Sequence, residues 1–425
     1  MKIHIKNGRL VDPKNGIDAQ QDVYIASGRV VGVGTAPASF NPNKVIDATG
    51  LVVMPGLIDL AARLREPGYE YRATLESEMD AAVAGGITSL ACPPDTDPPL
   101  DEPGLVEMLK HRARQLNLAH LYPVGALTHG LKGVELTEMA ELTDAGCVAF
   151  SQADAALTDT RVLMRAMQYA ATFDYTVWLR PQDSFLARGG VAHDGEVATR
   201  LGLAAIPVCA ETIALSTMLQ LARETGARLH ICRISSAAGV DMVRAAKREG
   251  LALSCDVSMN HTHLSEMDIG FFDSQCHLMP PLRSLRDREA LQAGLLDGTI
   301  DVMVSNHSPV DDDAKQLPFA EAEVGATGVE LLLPLVLKWA EQYKLDLKDA
   351  LTRVTTHPAR VLGIDAGHLS VGMAADICVF DPDHYWKIEP AALRSQGKNT
   401  PFLGYELRGK VRYTLVNGQL VYKAA

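Results

Sequence analysis

Eight short apolar runs set the architecture of the middle of this chain. They lie at 57–60, 89–92, 121–124, 147–150, 176–179, 229–231, 253–257 and 302–305. Helical patterns fall between most of them, at 105–116, 134–145, 161–172, 210–225 and 238–249, and a further one at 329–343 follows the last run. Short strands separated by crossovers long enough for a helix form a parallel sheet, and eight of them close on themselves. The expected fold class is therefore α/β, a (β/α)8 barrel of TIM type.

The two ends of the chain follow a different pattern. Residues 1–54 read as β-branched runs broken by X-Gly turns such as Asn7-Gly8, Ser27-Gly28 and Thr49-Gly50. Strand patterns return at 375–380, 410–416 and 419–422, the last two joined by Asn417-Gly418. That dipeptide is a type I′ hairpin signal. Neither end makes a stable sheet alone, so residues 1–54 and 366–425 are expected to meet in one small β-sandwich domain, with 55–365 as the barrel.

With 425 residues the chain can hold a barrel and a second small domain, and its hydrophobic fraction of 47% suits a packed core. The formal net charge is −12 and the isoelectric point about 5.5. An acidic surface argues against nucleic acid and anionic membranes. The first residues have no apolar signal core, and no run approaches the ~18 apolar residues of a membrane span. Seven scattered cysteines form no CxxC pair. This usage points to a reducing cytoplasm.

Barrel enzymes keep their chemistry just beyond the C-terminal ends of the strands. Those positions hold Ala61, Arg63 and Arg65; Asp95 and Asp97; Ser151-Gln-Ala-Asp154; Arg180 and Asp183; Arg233; His261 and His263; and Asn306 with His307. A hydrolytic metal centre needs about three to five converging His, Asp or Glu ligands. Arginine has no lone pair to give a metal, so Arg63, Arg180 and Arg233 oppose such a centre.

Around these positions stand Pro55-Gly-Leu-Ile-Asp59, Leu64-Arg-Glu-Pro-Gly68, Ala84-Gly-Gly-Ile-Thr88, Pro280-Pro-Leu-Arg283, Gly298-Thr-Ile-Asp301, His357-Pro-Ala-Arg360 and Asn399-Thr-Pro-Phe402. Through these motifs the chain resembles the dihydroorotases of the amidohydrolase superfamily over nearly its whole length. The resemblance implies the superfamily's barrel and a zinc-dependent cyclic amide hydrolase of pyrimidine biosynthesis. Carried over residue by residue, the implied HxH ligand pair falls on Ala61 and Arg63. The remaining implied metal ligands fall on Ala153, Arg180, Arg233 and Asn306, the last also being the implied general base. Of the implied substrate groups Arg65 is kept, while Asp95 and Met279 replace asparagines.

Six changed ligand positions lead to three expectations: no family zinc, no catalytic residue at Asn306, and a protein that is not an enzyme. The resemblance narrows to the noncatalytic dihydroorotase-like chains of some bacterial aspartate carbamoyltransferases. It implies a scaffold role and a dodecamer of six plus six chains. Two alternatives stay open: a repurposed metal-dependent cyclic amide hydrolase, and an anion-sensing subunit using the arginines of the mouth. For those arginines the favoured expectation is internal pairing with Asp59, Asp95, Asp97, Asp154 and Asp183. His261-Thr-His263 reads as an i, i+2 pair that would share a face if on a strand. It and the lone His230 and His307 are expected to make ordinary hydrogen bonds. Asp311-Asp-Asp313 is expected to be a solvated loop.

Overall fold

The computed structural model describes residues 1–424. All eight expected barrel strands are present: Leu57–Asp59, Ile87–Cys92, His120–Ala126, Ala149–Ser151, Thr176–Leu179, Arg228–Ile231, Leu253–Ser258 and Val302–Val304. They are hydrogen-bonded in chain order and every pairing is parallel. The ring closes between the last strand and the first. His307 N–H donates to Ala61 O at 2.9 Å, Arg63 N–H donates to His307 O at 2.9 Å, and the buried Asp59 carboxylate accepts from Ser305 N–H at 3.0 Å. Asp59 thus acts as a closure residue of the barrel.

Alternation along the strands sorts their side chains. Ile58, Ala91, Val124, Ala149, Trp178 and Val304 form one buried cluster filling the barrel. Leu57, Leu90, Cys92, Phe150, Val177 and Met303 belong to the larger core shared with the helices. The barrel is packed through, as the fold demands.

Helices Pro103–Leu116, Thr160–Thr172, Val208–Thr225, Ala237–Arg248 and Leu332–Gln342 stand where the periodicity predicts them. The expected helix over 134–145 is shorter. Only Met139–Ala145 is helical, because Leu136 instead bridges to Thr128. Leu75–Ala84 and Leu285–Asp297 escaped the periodicity reading, although each opens with a capping box, at Thr74 and Ser284.

The chain ends form two sheets. One has four strands, Lys2–Lys6, Val23–Ala26, Arg29–Val33 and Lys44–Asp47. The other has six, from Arg9–Asp12, Ile17–Gln20, Val52–Pro55, Ile377–Lys387, Glu406–Val416 and Gln419–Lys423. Val52–Pro55 pairs antiparallel with Ile377–Lys387, which ties the N-terminal segment to the C-terminal one. Ile3, Ile5, Val23 and Ile25 pack with Val53, Ile377, Val379 and Leu415 in a core of their own. Asn417 (φ 48°) and Gly418 (φ 67°) make the expected type I′ turn.

Candidate functional site at the barrel mouth

Three arginines from three strand ends converge on one carboxylate. Arg63 Nη2 donates to Asp154 Oδ2 at 2.7 Å, Arg180 Nε to Oδ1 at 2.5 Å, and Arg233 Nη2 to Oδ1 at 2.5 Å. Arg63 Nε also donates to Asp95 Oδ2 at 2.7 Å. Burial opposes the charge on Asp154. The guanidiniums of Arg233, Arg180 and Arg63 prevail, holding its carboxyl well below the usual carboxylate range. Burial likewise works against the charge on Arg63, and Asp95 and Asp154 reverse that effect and raise its pKa.

The expected internal pairing therefore forms, with fewer acids than proposed. Asp154 and Asp95 carry it. Asp59 is taken by Ser305, and Asp183 accepts from the Phe185 and Leu186 N–H groups. Asp97 makes no ion pair among the described residues. Arg65 has no carboxylate partner there either. It donates to Pro309 O and to Ser308 Oγ, both at 2.9 Å, and burial followed by the repulsion of Arg63 pulls its pKa down to about 10.

The backbone is bent to this arrangement. Arg65, Ala153, Arg233 and Asn306 all have positive φ, between 50° and 62°. For Ala153 and Arg233 this conformation costs about 1–2 kcal/mol each. Beneath the ion pairs lies a cavity of about 30 Å³, lined by Ala61, Arg63, Ala153, Arg180, Cys232 and Arg233 among others. That is room for about one water molecule. Above lies an open cavity of about 280 Å³ bordered by Arg63, Arg65, Arg72, Asp95, Met279 and Asn306, just under the ~300 Å³ at which small-molecule pockets begin. Of the six implied ligand positions only Asn306 has a side-chain acceptor, and Arg233 Nη1 lies 3.4 Å from its Oδ1. Those six positions do not fit a cation.

A second group within the barrel has suitable donors. His230, Cys232 and Asp256 place one ligand atom each within 4.8 Å of one another. His230 Nε2 is 2.9 Å from Asp256 Oδ2 and its Nδ1 is 2.8 Å from Ser254 Oγ. Two ligands on a tetrahedral zinc stand about 3.3 Å apart, given bonds of about 2.0–2.1 Å. A nitrogen, a thiol sulfur and a carboxylate oxygen are donor types that metal takes, and only the His230–Asp256 pair, at 2.9 Å, is known to come as close as that spacing. Without a metal, burial and the Asp256 charge push the Cys232 thiol well up, so it stays protonated.

The other histidines at the strand ends, His261, His263 and His307, each make a hydrogen bond. His261 and His263 lie on a helical turn, Met259–His263, so they do not share a face as strand neighbours would. Their Nε2 atoms meet Pro280 O at 3.0 Å and Leu335 O at 2.8 Å. His307 Nε2 is 2.6 Å from Glu78 Oε2, a buried pair that sequence reading missed because the helix bearing Glu78 was not recognised. Asp311 and the short helical turn Asp312–Lys315 leave the three aspartates exposed.

The barrel, its packed interior and the added sheets of the chain ends are the fold of the hydantoinase and dihydroorotase class. L-hydantoinase (dihydropyrimidinase) from Arthrobacter aurescens superposes with a TM-score of 0.88 at 26% identity, covering 99% of this chain and 96% of that one. The dihydro-orotase-like family model matches residues 50–238. The "Dihydroorotase-like protein" of Pseudomonas aeruginosa is 44% identical over 423 residues, 100% of both chains. The "Dihydroorotase" of Geobacter sp. strain M21 is 40% identical over 424 residues, again 100% of both. The chain belongs to the dihydroorotase-like family.

These relationships correct two expectations. Relatives named Dihydroorotase are 37–40% identical along the whole chain, and with the hydantoinase fold they point to a hydrolase rather than to a protein that is not an enzyme. The expected lack of a metal is corrected by the same family and by the His230, Cys232 and Asp256 group. The physical reason is that six altered positions do not exhaust the donors of the barrel. Asp256 lies within an apolar strand run and Cys232 passes for a small hydrophobe, so neither stands out in the sequence.

Proposed function

We propose that this chain is the dihydroorotase-like subunit of an aspartate carbamoyltransferase assembly in pyrimidine biosynthesis. It would act in the cytoplasm, six copies beside six carbamoyltransferase catalytic chains. The observation that carries the reading is the pairing of Arg63, Arg180 and Arg233 around Asp154 at the floor of the mouth, inside a complete barrel and sandwich. Paired charge at the altered ligand positions makes that part of the mouth structural, and the exterior of the intact fold is then the part available to a partner chain. In this reading Ala61, Arg63, Ala153, Arg180, Arg233 and Asn306 form a structural plug, with Arg65, Asp95 and Met279 as its outer wall. The seven unpaired cysteines agree with a reducing compartment. Affinity capture of the tagged chain, co-expressed with the carbamoyltransferase catalytic chain of the same organism, tests the assembly. The two should elute together in equal amounts, and recovery of the tagged chain alone would sink the reading.

A second reading is favoured by the His230, Cys232 and Asp256 group together with the relatives named Dihydroorotase. It is cyclic amide hydrolysis with a metal held by those three donors rather than at the altered positions. A bound zinc supplies Lewis acidity and a water of lowered pKa. Ser254 orients the His230 ring, and the Arg233 N–H, 2.7 Å from Asp256 Oδ1, holds the carboxylate. Metal analysis of protein prepared without chelator should find about one zinc per chain, reduced by Cys232→Ser. Metal content unchanged by that substitution would remove these residues as ligands.

A further inference from the structure

The most exposed aromatic surface of the molecule lies outside the mouth network. Phe271 is 89% exposed and Phe272 38%, their rings set edge to face with centroids 5.3 Å apart. Met267, 51% exposed, belongs to the same loop. The loop follows the seventh barrel strand and the turn Met259–His263, so it stands beside the mouth.

This tip is fixed rather than free. At its base Ser265 N–H donates to Asp268 Oδ2 at 2.7 Å and Ile269 is buried. Asp273 N–H donates to Ile269 O at 2.9 Å, and Asp273 Oδ1 accepts from Gln275 N–H at 3.0 Å. Buried Lys315 donates from Nζ to Ser274 O at 3.0 Å and to His277 O at 3.2 Å, which binds the loop to the segment carrying Asp311, Asp312 and Asp313. Phe272 has φ 64°, a conformation a bulky side chain adopts only under constraint. Two aromatic rings held out on a rigid base are already arranged for contact, so little ordering cost remains on binding.

The surrounding charge selects the occupant. Residues 265–275 present the half-buried Asp268 and the exposed Asp273 and contain no Lys or Arg, Glu266 being buried, and the adjoining segment adds three exposed aspartates. A second copy docked by two-fold symmetry would set carboxylates against carboxylates. An anionic membrane is disfavoured by the same charge. We infer that Phe271 and Phe272 are the anchor of a hetero-oligomeric interface, seated in an apolar recess of a different protein chain whose rim carries Lys and Arg. The inference rests on the assembly reading above, in which that chain is the carbamoyltransferase.

The test mixes purified carbamoyltransferase catalytic chain with three forms of this protein: wild type, Phe271→Ser/Phe272→Ser, and Phe271→Leu/Phe272→Leu. Complex is measured by sizing with light scattering at low and high salt, and thermal melts establish that each form is folded. The serine variant should bind about tenfold or more weakly at an unchanged melting temperature. The leucine variant should retain binding, and high salt should weaken the wild-type complex. Equal binding by wild type and serine variant would overturn this surface while leaving the assembly reading intact. No complex with wild type would overturn that reading and this surface with it. A self-association that the serine substitutions abolish, or wild-type binding to phosphatidylcholine vesicles that they abolish, would assign the rings to a second copy or a membrane and overturn the proposal.

Discussion

Asp154 answers three guanidiniums at once, and its removal would leave Arg63, Arg180 and Arg233 repelling one another at the barrel mouth. Breaking a buried pair costs about 3–5 kcal/mol. The Asp154 side chain is 35% exposed, so solvent screens part of that. Asp154→Asn should therefore lose about 1–3 kcal/mol in urea unfolding at neutral pH. Because the folded carboxyl titrates below the unfolded one, its stabilisation is complete above about pH 4 and disappears as pH falls through the folded value. Wild-type and variant stabilities should converge in acid, and a constant gap would contradict the ion-pair account. Burial moves His261 to about 4 and His263 to about 3, so both stay neutral in the fold. Their unfolded forms take up protons below about pH 6.5, so stability is full above that pH and falls below it, by about 2 kcal/mol for each ring at pH 5. His263→Gln should remove about half of that loss in melts from pH 7 to pH 5. At this scale the sequence disclosed the arginines and their pairing, because like charges at neighbouring strand ends require counter-charges. It hid Glu78, Asp256 and Cys232, whose partners are brought together only by barrel closure.

Among the elements, the first barrel strand shows why its motif needs glycine. A Cβ on Gly56 would lie 2.1 Å from Thr88 Oγ1 on the second strand, where neither backbone can withdraw. Gly56→Ala should lose about 3 kcal/mol or more, or fail to accumulate as soluble protein. Gly50→Ala, in open space at φ 77°, should cost about 1 kcal/mol from backbone strain alone. Melting temperatures of the pair separate steric from conformational cost. The strands were legible because each is a short apolar run, and Thr176–Leu179 falls on the expected residues. Over 134–138 apolar spacing cannot distinguish a helical turn from an extended approach whose Leu136 bridges Thr128. His261 and His263 would share a face on a strand, but Ser258 caps a helical turn there by accepting from Asn260 N–H.

Across the whole molecule, both ends of the chain return to one sandwich. The barrel between them has a filled interior and opposite charges paired at the floor of its mouth. Hairpin dipeptides at both ends made that meeting legible, but the six-plus-four division of the strands followed only from pairing. In the assembly proposed above, the Phe271–Phe272 tip would be the place where this body meets another chain. The proposed assembly is tested most directly by the native mass of the protein co-expressed with aspartate carbamoyltransferase catalytic chain. It predicts a single particle containing six copies of each chain. Separate particles, one holding only this chain and the other only the carbamoyltransferase, would contradict it.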